Sequence, residues 1–154
     1  FGIDAPYRYS PMLDATCLHP LLDAPCSEKR ELGLYLHSKF RNDRKRFAQL
    51  RADIMYNDET DERKVFDFLC SSKQVITSSY HGALWATYLN KTVWITDAFS
   101  EKFQKMPFQL PSWPDQPAKD IDGIFYRDQC RQQNTAFYSQ YLKHAVTRLL
   151  RSAH

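Results

Sequence analysis

The 154-residue sequence contains no apolar run long enough to span a bilayer. Its longest uncharged apolar-looking run, Ile76 to Asn90, is broken by Thr77, Ser78, Ser79 and His81. It has no C-x-x-C pair. Cys17, Cys26, Cys70 and Cys130 fit neither a zinc knuckle nor a dense disulfide framework, and they read as reduced thiols of an intracellular, cytoplasmic protein. Cys17 with His19 offers only two candidate ligands, which is short of a metal site. Charge of one sign is also scarce. With 21 Lys plus Arg against 18 Asp plus Glu, the excess is +3, too little to point to nucleic acid. No internal repeat or low-complexity tract occurs. The chain opens at Phe1 rather than Met, so the lack of a visible targeting segment excludes nothing.

The remaining composition, 43% hydrophobic and 25% charged, is that of a folded domain, not a disordered tail. A chain of this length buries roughly two-thirds of its unfolded surface, enough for one core. Residues 1–30 carry Pro6, Pro11, Pro20 and Pro25, which forbid a long helix and mark an extended connecting segment.

From residue 31 the pattern alternates in type. Leu32–Leu36 has strand length, the charged stretch Lys39–Arg51 follows, and Ala52–Tyr56 reads as a second strand. Thr60 offers a helix N-cap with Asp61 and Glu62 in the first turn. Val65, Phe66, Leu69 and Cys70 then form one buried helical stripe, with Cys70 as an ordinary buried thiol. Gln74–Thr77 and Val93–Thr96 are strands on either side of a short helix, Gly82–Leu89. Strands alternating with helices predict an α/β fold, a Rossmann-like parallel sheet with flanking helices and right-handed crossovers.

Residues 97–123 hold Pro107, Pro111, Pro114 and Pro117 and predict an irregular loop with a short helical turn. Asp128–Arg151 predicts a helix whose apolar face is Tyr138, Leu142, Ala145 and Leu149. Arg127, Arg131 and Gln132 begin its polar side, and Arg148 and Arg151 suit its negative end.

The chemistry-bearing segment is Val75 to Trp85. A buried strand ends, Thr77, Ser78 and Ser79 follow, and Tyr80-His81-Gly82 opens a helix. In open α/β sheets ligands bind at the carboxyl ends of strands, where helix amides attract phosphate or carboxylate. Gly82 would let a ligand approach the backbone, Ser78 and Ser79 would add donors, and His81 could transfer a proton or hold an anion. The plainer reading makes His81 a hydrogen-bonded structural residue and the hydroxyls helix caps.

The same segment resembles the signature of the polysaccharide pyruvyl transferase family, a strand leading into Ser-x-x-His-Gly and a helix. Cys17-Leu18-His19-Pro20-Leu21, Leu34-Tyr35-Leu36-His37, Ser100-Glu101-Lys102-Phe103 and Cys130-Arg131 through Tyr138 resemble further family segments in consistent order. The resemblance implies the C-terminal half of a two-domain GT-B fold, joined by residues 1–30 to a missing N-terminal domain. It implies transfer of a pyruvyl group from phosphoenolpyruvate onto two sugar hydroxyls of a glycan acceptor, a surface polysaccharide or its lipid-linked precursor. The product is a ketal, and no metal or organic cofactor is called for. His81 matches the family histidine near phosphoenolpyruvate, a proposed acid, and Gly82 matches the helix-opening glycine. Many members carry arginine where this chain has Ser79, and serine cannot replace that bidentate charge. Lys102 and Lys105 are candidate substitutes.

His37 ends a strand at the edge where a cleft residue belongs and could assist the acceptor hydroxyl; Glu101, near the same edge, could bind sugar hydroxyls. Trp85 and Trp94 read as core, leaving Trp113 as a candidate sugar-stacking ring. The basic run Lys39, Arg41, Arg44, Lys45, Arg46 and Arg51 is a solvated face, or a peripheral contact with the inner face of a membrane. Self-association through the face left by the missing half is a further expectation. Two other functions stay open: a sugar-nucleotide glycosyltransferase of GT-B type, and a non-catalytic carbohydrate- or partner-binding module.

Overall fold

The structure is a computed structural model that describes residues 15–116 and 121–152, with side chains as far as residue 146. Four strands form one all-parallel sheet: β1 (Arg30–Leu36), β2 (Asp53–Tyr56), β3 (Ser72–Thr77) and β4 (Thr92–Ile95), in the order β2-β1-β3-β4. The helices are α1 (Glu62–Cys70), α2 (Tyr80–Tyr88) and α3 (Gly123–Ser152). A 3₁₀ segment, Ser38–Leu50, connects β1 to β2 and is kinked at Asp43, where φ −93° and ψ 15° leave the helical region. The expected α/β, Rossmann-like parallel sheet with flanking helices is the fold found.

The sheet is apolar on both faces because both are covered, as parallel sheets require. Alternate residues of β1 point to opposite sides. Leu34 and Leu36 join Ile76, Trp94 and Phe47 of the 3₁₀ segment on one side. Tyr35 joins Val75, Val93, Val65, Phe68, Leu69 and Ala86 on the other, under α1 and α2. The β1-to-β2 crossover therefore lies on one face, and the β2-to-β3 and β3-to-β4 crossovers lie on the opposite one. Gly33 and Thr77 sit in the central strands, in register with Val75 and Tyr35 respectively.

The described part of the proline-rich segment, residues 15–30, is pinned to the domain at Cys17 and Leu22, while residues 23–29 are exposed. Two 3₁₀ turns, Ala15–Leu18 and Pro20–Asp23, bring Cys17 and Leu22 into a core cluster with Phe66, Leu84, Tyr88, Phe108 and Cys130. Arg127 and Arg131 hold this segment. Arg127 donates to the Leu22 carbonyl at 2.8 Å, and Arg131 donates to the Cys17 carbonyl at 2.7 Å and forks onto Asp23 at 2.8 and 3.0 Å. They are anchors, not the solvated polar side that their helical position predicts.

Four further expectations are corrected. The cysteines are not all thiols: Cys26 and Cys70, 44 positions apart in sequence, form a disulfide with Cα atoms 4.8 Å apart. Cys17 and Cys130 lie outside it, both buried, each 3.5 Å from the Asn134 amide nitrogen. The cap of α1 is Asp61, not Thr60; its carboxylate accepts from the amides of Arg63 and Lys64, and the charge suits the helix dipole. Among the described residues of α3, Gly123, Cys130 and Asn134 are buried while Tyr138 and Leu142 of the expected apolar face are exposed and Ala145 is half-buried. The side chains of Arg148, Leu149 and Arg151 lie outside the described residues. Lastly, Trp85 is only half-buried, whereas Trp94 is core as expected.

Candidate functional site at the sheet edge

The strand order creates a switch point between β1 and β3. The chain leaves β1 toward one face of the sheet and leaves β3 toward the other, so a crevice opens between the two departing loops at their carboxyl ends. His37 follows β1 directly, and Ser78 to His81 follow β3. The backbone amide of His37 donates to the Ser78 hydroxyl at 2.8 Å, tying the two loops together. Asn57, just past β2, accepts from the Ser38 amide at 2.8 Å and fixes the outer rim.

The three hydroxyls that looked like ligand donors are built into the turn. Thr77, Ser78 and Ser79 are all buried. Thr77 Oγ1 donates to the Tyr35 carbonyl at 2.6 Å and accepts from the Ser79 amide at 3.0 Å. Ser79 is the N-cap of α2, accepting from the Gly82 amide at 3.4 Å, so the helix begins at Tyr80, two residues before the expected Gly82. The residue standing where the resembled family carries arginine is thus a buried helix cap.

Gly82 is required by packing. A Cβ there would overlap the Tyr35 ring and come within 2.8 Å of Thr77 Oγ1, so only glycine lets α2 settle onto β1 and β3. Tyr35 itself is so enclosed that burial, helped by the charges of Asp58 and Glu59, pushes its phenol up to about 12. It therefore stays neutral and serves as wall.

What remains half-open at the crevice is aromatic and basic. His81 stacks on Trp85, one turn further along α2, with ring centres 5.5 Å apart, and meets Tyr80 edge-on at 5.4 Å. Tyr80 in turn meets Phe103, and the Lys102 ammonium sits 5.9 Å above the Tyr80 ring. Tyr80, His81 and Lys102 thus belong to one continuous patch. Glu101 is exposed at the start of a 3₁₀ turn, Glu101–Lys105, capped by Ser100, and it has no described contact with that patch. His37 stands on the other side of the switch point, directly after β1. Its Nδ1 accepts from the Lys39 amide at 3.2 Å, so in the neutral ring Nε2 carries the proton and is a donor.

Sequence reasoning drew Glu101, Lys102 and Lys105 from the loop after β4 but missed Asp97 and Phe99 at its start. Asp97 has φ +52°, in the left-handed region that an aspartate tolerates. Arg46 grips both its oxygens at 2.8 Å, and Thr96 Oγ1 donates to it at 2.8 Å. Burial opposes the charge, but the Arg46 and Thr96 hydrogen bonds, with the charges of Arg46 and Lys39, outweigh it and hold the carboxyl below its ordinary value. This fixed turn presents Phe99, whose ring meets His37 edge-on at 5.0 Å and lies 3.1 Å below the Lys39 ammonium. The only sequence signal was the basic run that contains Lys39 and Arg46.

A separate hollow of about 500 Å³ lies beside the Cys26–Cys70 bridge, with Lys29, Arg30, Lys64, Phe66 and Phe68 in its wall. None of the crevice residues lines it. Among the described residues, no group of three or more His, Cys, Asp or Glu could hold a metal ion, and no helix is long and apolar enough to cross a membrane.

Fold and crevice together define the class: an open parallel α/β domain with a switch-point cleft edged by two histidines. No family model, curated protein or solved structure matches the chain.

Proposed function

We propose that the β1–β3 crevice is a group-transfer site for an anionic donor, and that the chain is the C-terminal half of a polysaccharide pyruvyl transferase-like enzyme of GT-B type. The observation that carries this reading is the placement of His37 directly after β1 and of His81 in the first turn of α2, on either side of the switch point, with Lys102 on the patch of His81. In the reaction, the enol carbon of phosphoenolpyruvate takes up one proton. Two sugar oxygens then bond to the carbon that loses phosphate, and the second hydroxyl proton leaves with the phosphate. His81 is the donor-side acid, and His37, through its Nε2–H, addresses the acceptor. Tyr80 and Lys102, beside the half-buried start of α2, face the donor anion. Thr77, Ser78, Ser79 and Gly82 shape this turn from beneath.

The buried cap formed by Ser79 favours a second reading, a non-catalytic carbohydrate-binding module, because no guanidinium stands at that position to grip a carboxylate. Compartment is part of the proposal too. A Cys26–Cys70 bridge persists in oxidising surroundings, which weighs against the cytoplasm expected from four thiols.

Titration calorimetry with phosphoenolpyruvate and with uridine diphosphate sugars separates the readings. Weak binding of phosphoenolpyruvate, reduced about tenfold or more in His81→Ala, is the expected result, with no turnover by the chain alone because a GT-B cleft needs both halves. Binding of uridine diphosphate sugars alone points to glycosyl transfer. Binding of neither, with His81→Ala unchanged throughout, removes the catalytic reading.

A further inference from the structure

We infer that Phe99 is a stacking platform for a pyranose ring, making the His37 side of the crevice the sugar subsite of the transfer site proposed above. The residue is 49% exposed, yet it is held on several sides. His37 meets its edge at 5.0 Å, Phe40 approaches at 6.2 Å with a 60° tilt, and the Lys39 ammonium caps it at 3.1 Å. Two residues earlier, Asp97 adopts its left-handed conformation under the double grip of Arg46. An apolar side chain that needed only burial would not be fixed while half of it faces water.

The chemistry of the surroundings selects the ligand. A pyranose has an apolar C–H face and a rim of hydroxyls. Phe99 supplies a flat apolar surface on the side that the Lys39 ammonium does not cover, and the His37 ring, whose Nε2–H is a donor, stands beside it. A fixed ring costs little ordering on binding, so its surface is available to the sugar from the start. Donor anion and sugar then occupy opposite sides of one crevice, His81 serving the first and Phe99 the second.

Saturation-transfer NMR with methyl glucoside, methyl galactoside and methyl mannoside tests this on the full 154-residue chain, with calorimetry of phosphoenolpyruvate run beside it. At least one glycoside should receive saturation on its apolar face. Phe99→Ala should weaken that binding about tenfold, the worth of an aromatic contact, while Phe99→Trp retains it and phosphoenolpyruvate titrates both variants alike. Unchanged thermal melting verifies that the variants fold. Failure of all three glycosides to bind, equal binding by Phe99→Ala, or displacement of the glycoside by uridine each overturns the platform. Glycoside binding that depends on Phe99 without any binding of phosphoenolpyruvate supports the platform and defeats the pyruvyl-transfer reading instead.

Discussion

The amide of His37 donates to the hydroxyl of Ser78 at 2.8 Å, across 41 residues of sequence. That single bond joins the loops that leave β1 and β3 for opposite faces of the sheet, and it sets the spacing of the crevice between them. Ser78 is fully buried, so no water can substitute without rearrangement. Ser78→Ala should cost about 1–3 kcal/mol, the penalty for an unsatisfied buried donor, read from urea unfolding. An unchanged midpoint with unchanged slope would mean that the His37 amide finds another acceptor.

Ser79 carries the cap of α2, and removing the cap should be felt as stability, not as donor affinity. Ser79→Ala is expected to lose roughly 1 kcal/mol. Ser79→Arg, which installs the residue common in the resembled family, should lose more, because a guanidinium must enter a site only 5% exposed. A gain in phosphoenolpyruvate affinity by a stably folded Ser79→Arg variant contradicts the placement of Ser79 beneath the turn.

Gly82→Ala places a methyl group against the Tyr35 ring and should destabilise by about 1–3 kcal/mol through overpacking. Shrinking the obstacle gives a sharper check. Tyr35→Leu should cost stability alone but lessen the cost of Gly82→Ala, so the double-mutant cycle must be non-additive. Additivity would mean that the two residues do not meet.

Asp97 and Asp23 predict how the fold responds to acid. The carboxyl of Asp23 is also held low, chiefly by its hydrogen bond from Arg131. Both folded-state values lie below those of the unfolded chain, so each group stabilises the protein fully above the ordinary carboxylate pKa, near 4. That contribution fades as pH falls through the folded-state values. Melting temperature should therefore drop more steeply below about pH 4 in the native protein than in an Arg46→Gln, Arg131→Gln variant. Parallel curves would deny both pairs a role.

Reduction of the disulfide is expected to cost about 4 kcal/mol, the loop-closure value for 44 residues. Equilibrium unfolding with and without a strong reductant measures it, and Cys26→Ser should match the reduced protein. Equal stability of reduced and oxidised protein argues that the bridge does not form.

The strands were legible in the sequence because β-branched and aromatic runs such as Val75-Ile76-Thr77 and Val93-Trp94-Ile95 belong to a sheet covered on both faces. The stripe Val65, Phe66, Leu69, Cys70 was legible for the same reason: helical spacing records burial. Caps were misplaced by one or two residues, since Thr60 and Asp61 are both competent and only the backbone geometry chooses. Ser79 and Gly82 divide a single cap between them in a way that spacing does not record. Partners distant along the chain left no local pattern at all. Cys26 with Cys70, Arg131 with Cys17, and Lys39 with Phe99 meet only once the sheet is assembled. Of the candidate site, the histidines were found because a histidine at a strand end is conspicuous. Phe99 was missed because one phenylalanine in a loop looks like any other.

The cross-link beside β1 has a mechanical consequence. Tension applied to the two ends of the molecule enters at Cys26 and leaves through Cys70, bypassing everything threaded between them. β1, the 3₁₀ segment, β2 and α1 form a closed ring that pulling cannot straighten until the sulfur–sulfur bond breaks. Under an atomic force cantilever, the contour gained on rupture should grow by roughly 150 Å when reductant is added, the extended length of the sheltered residues.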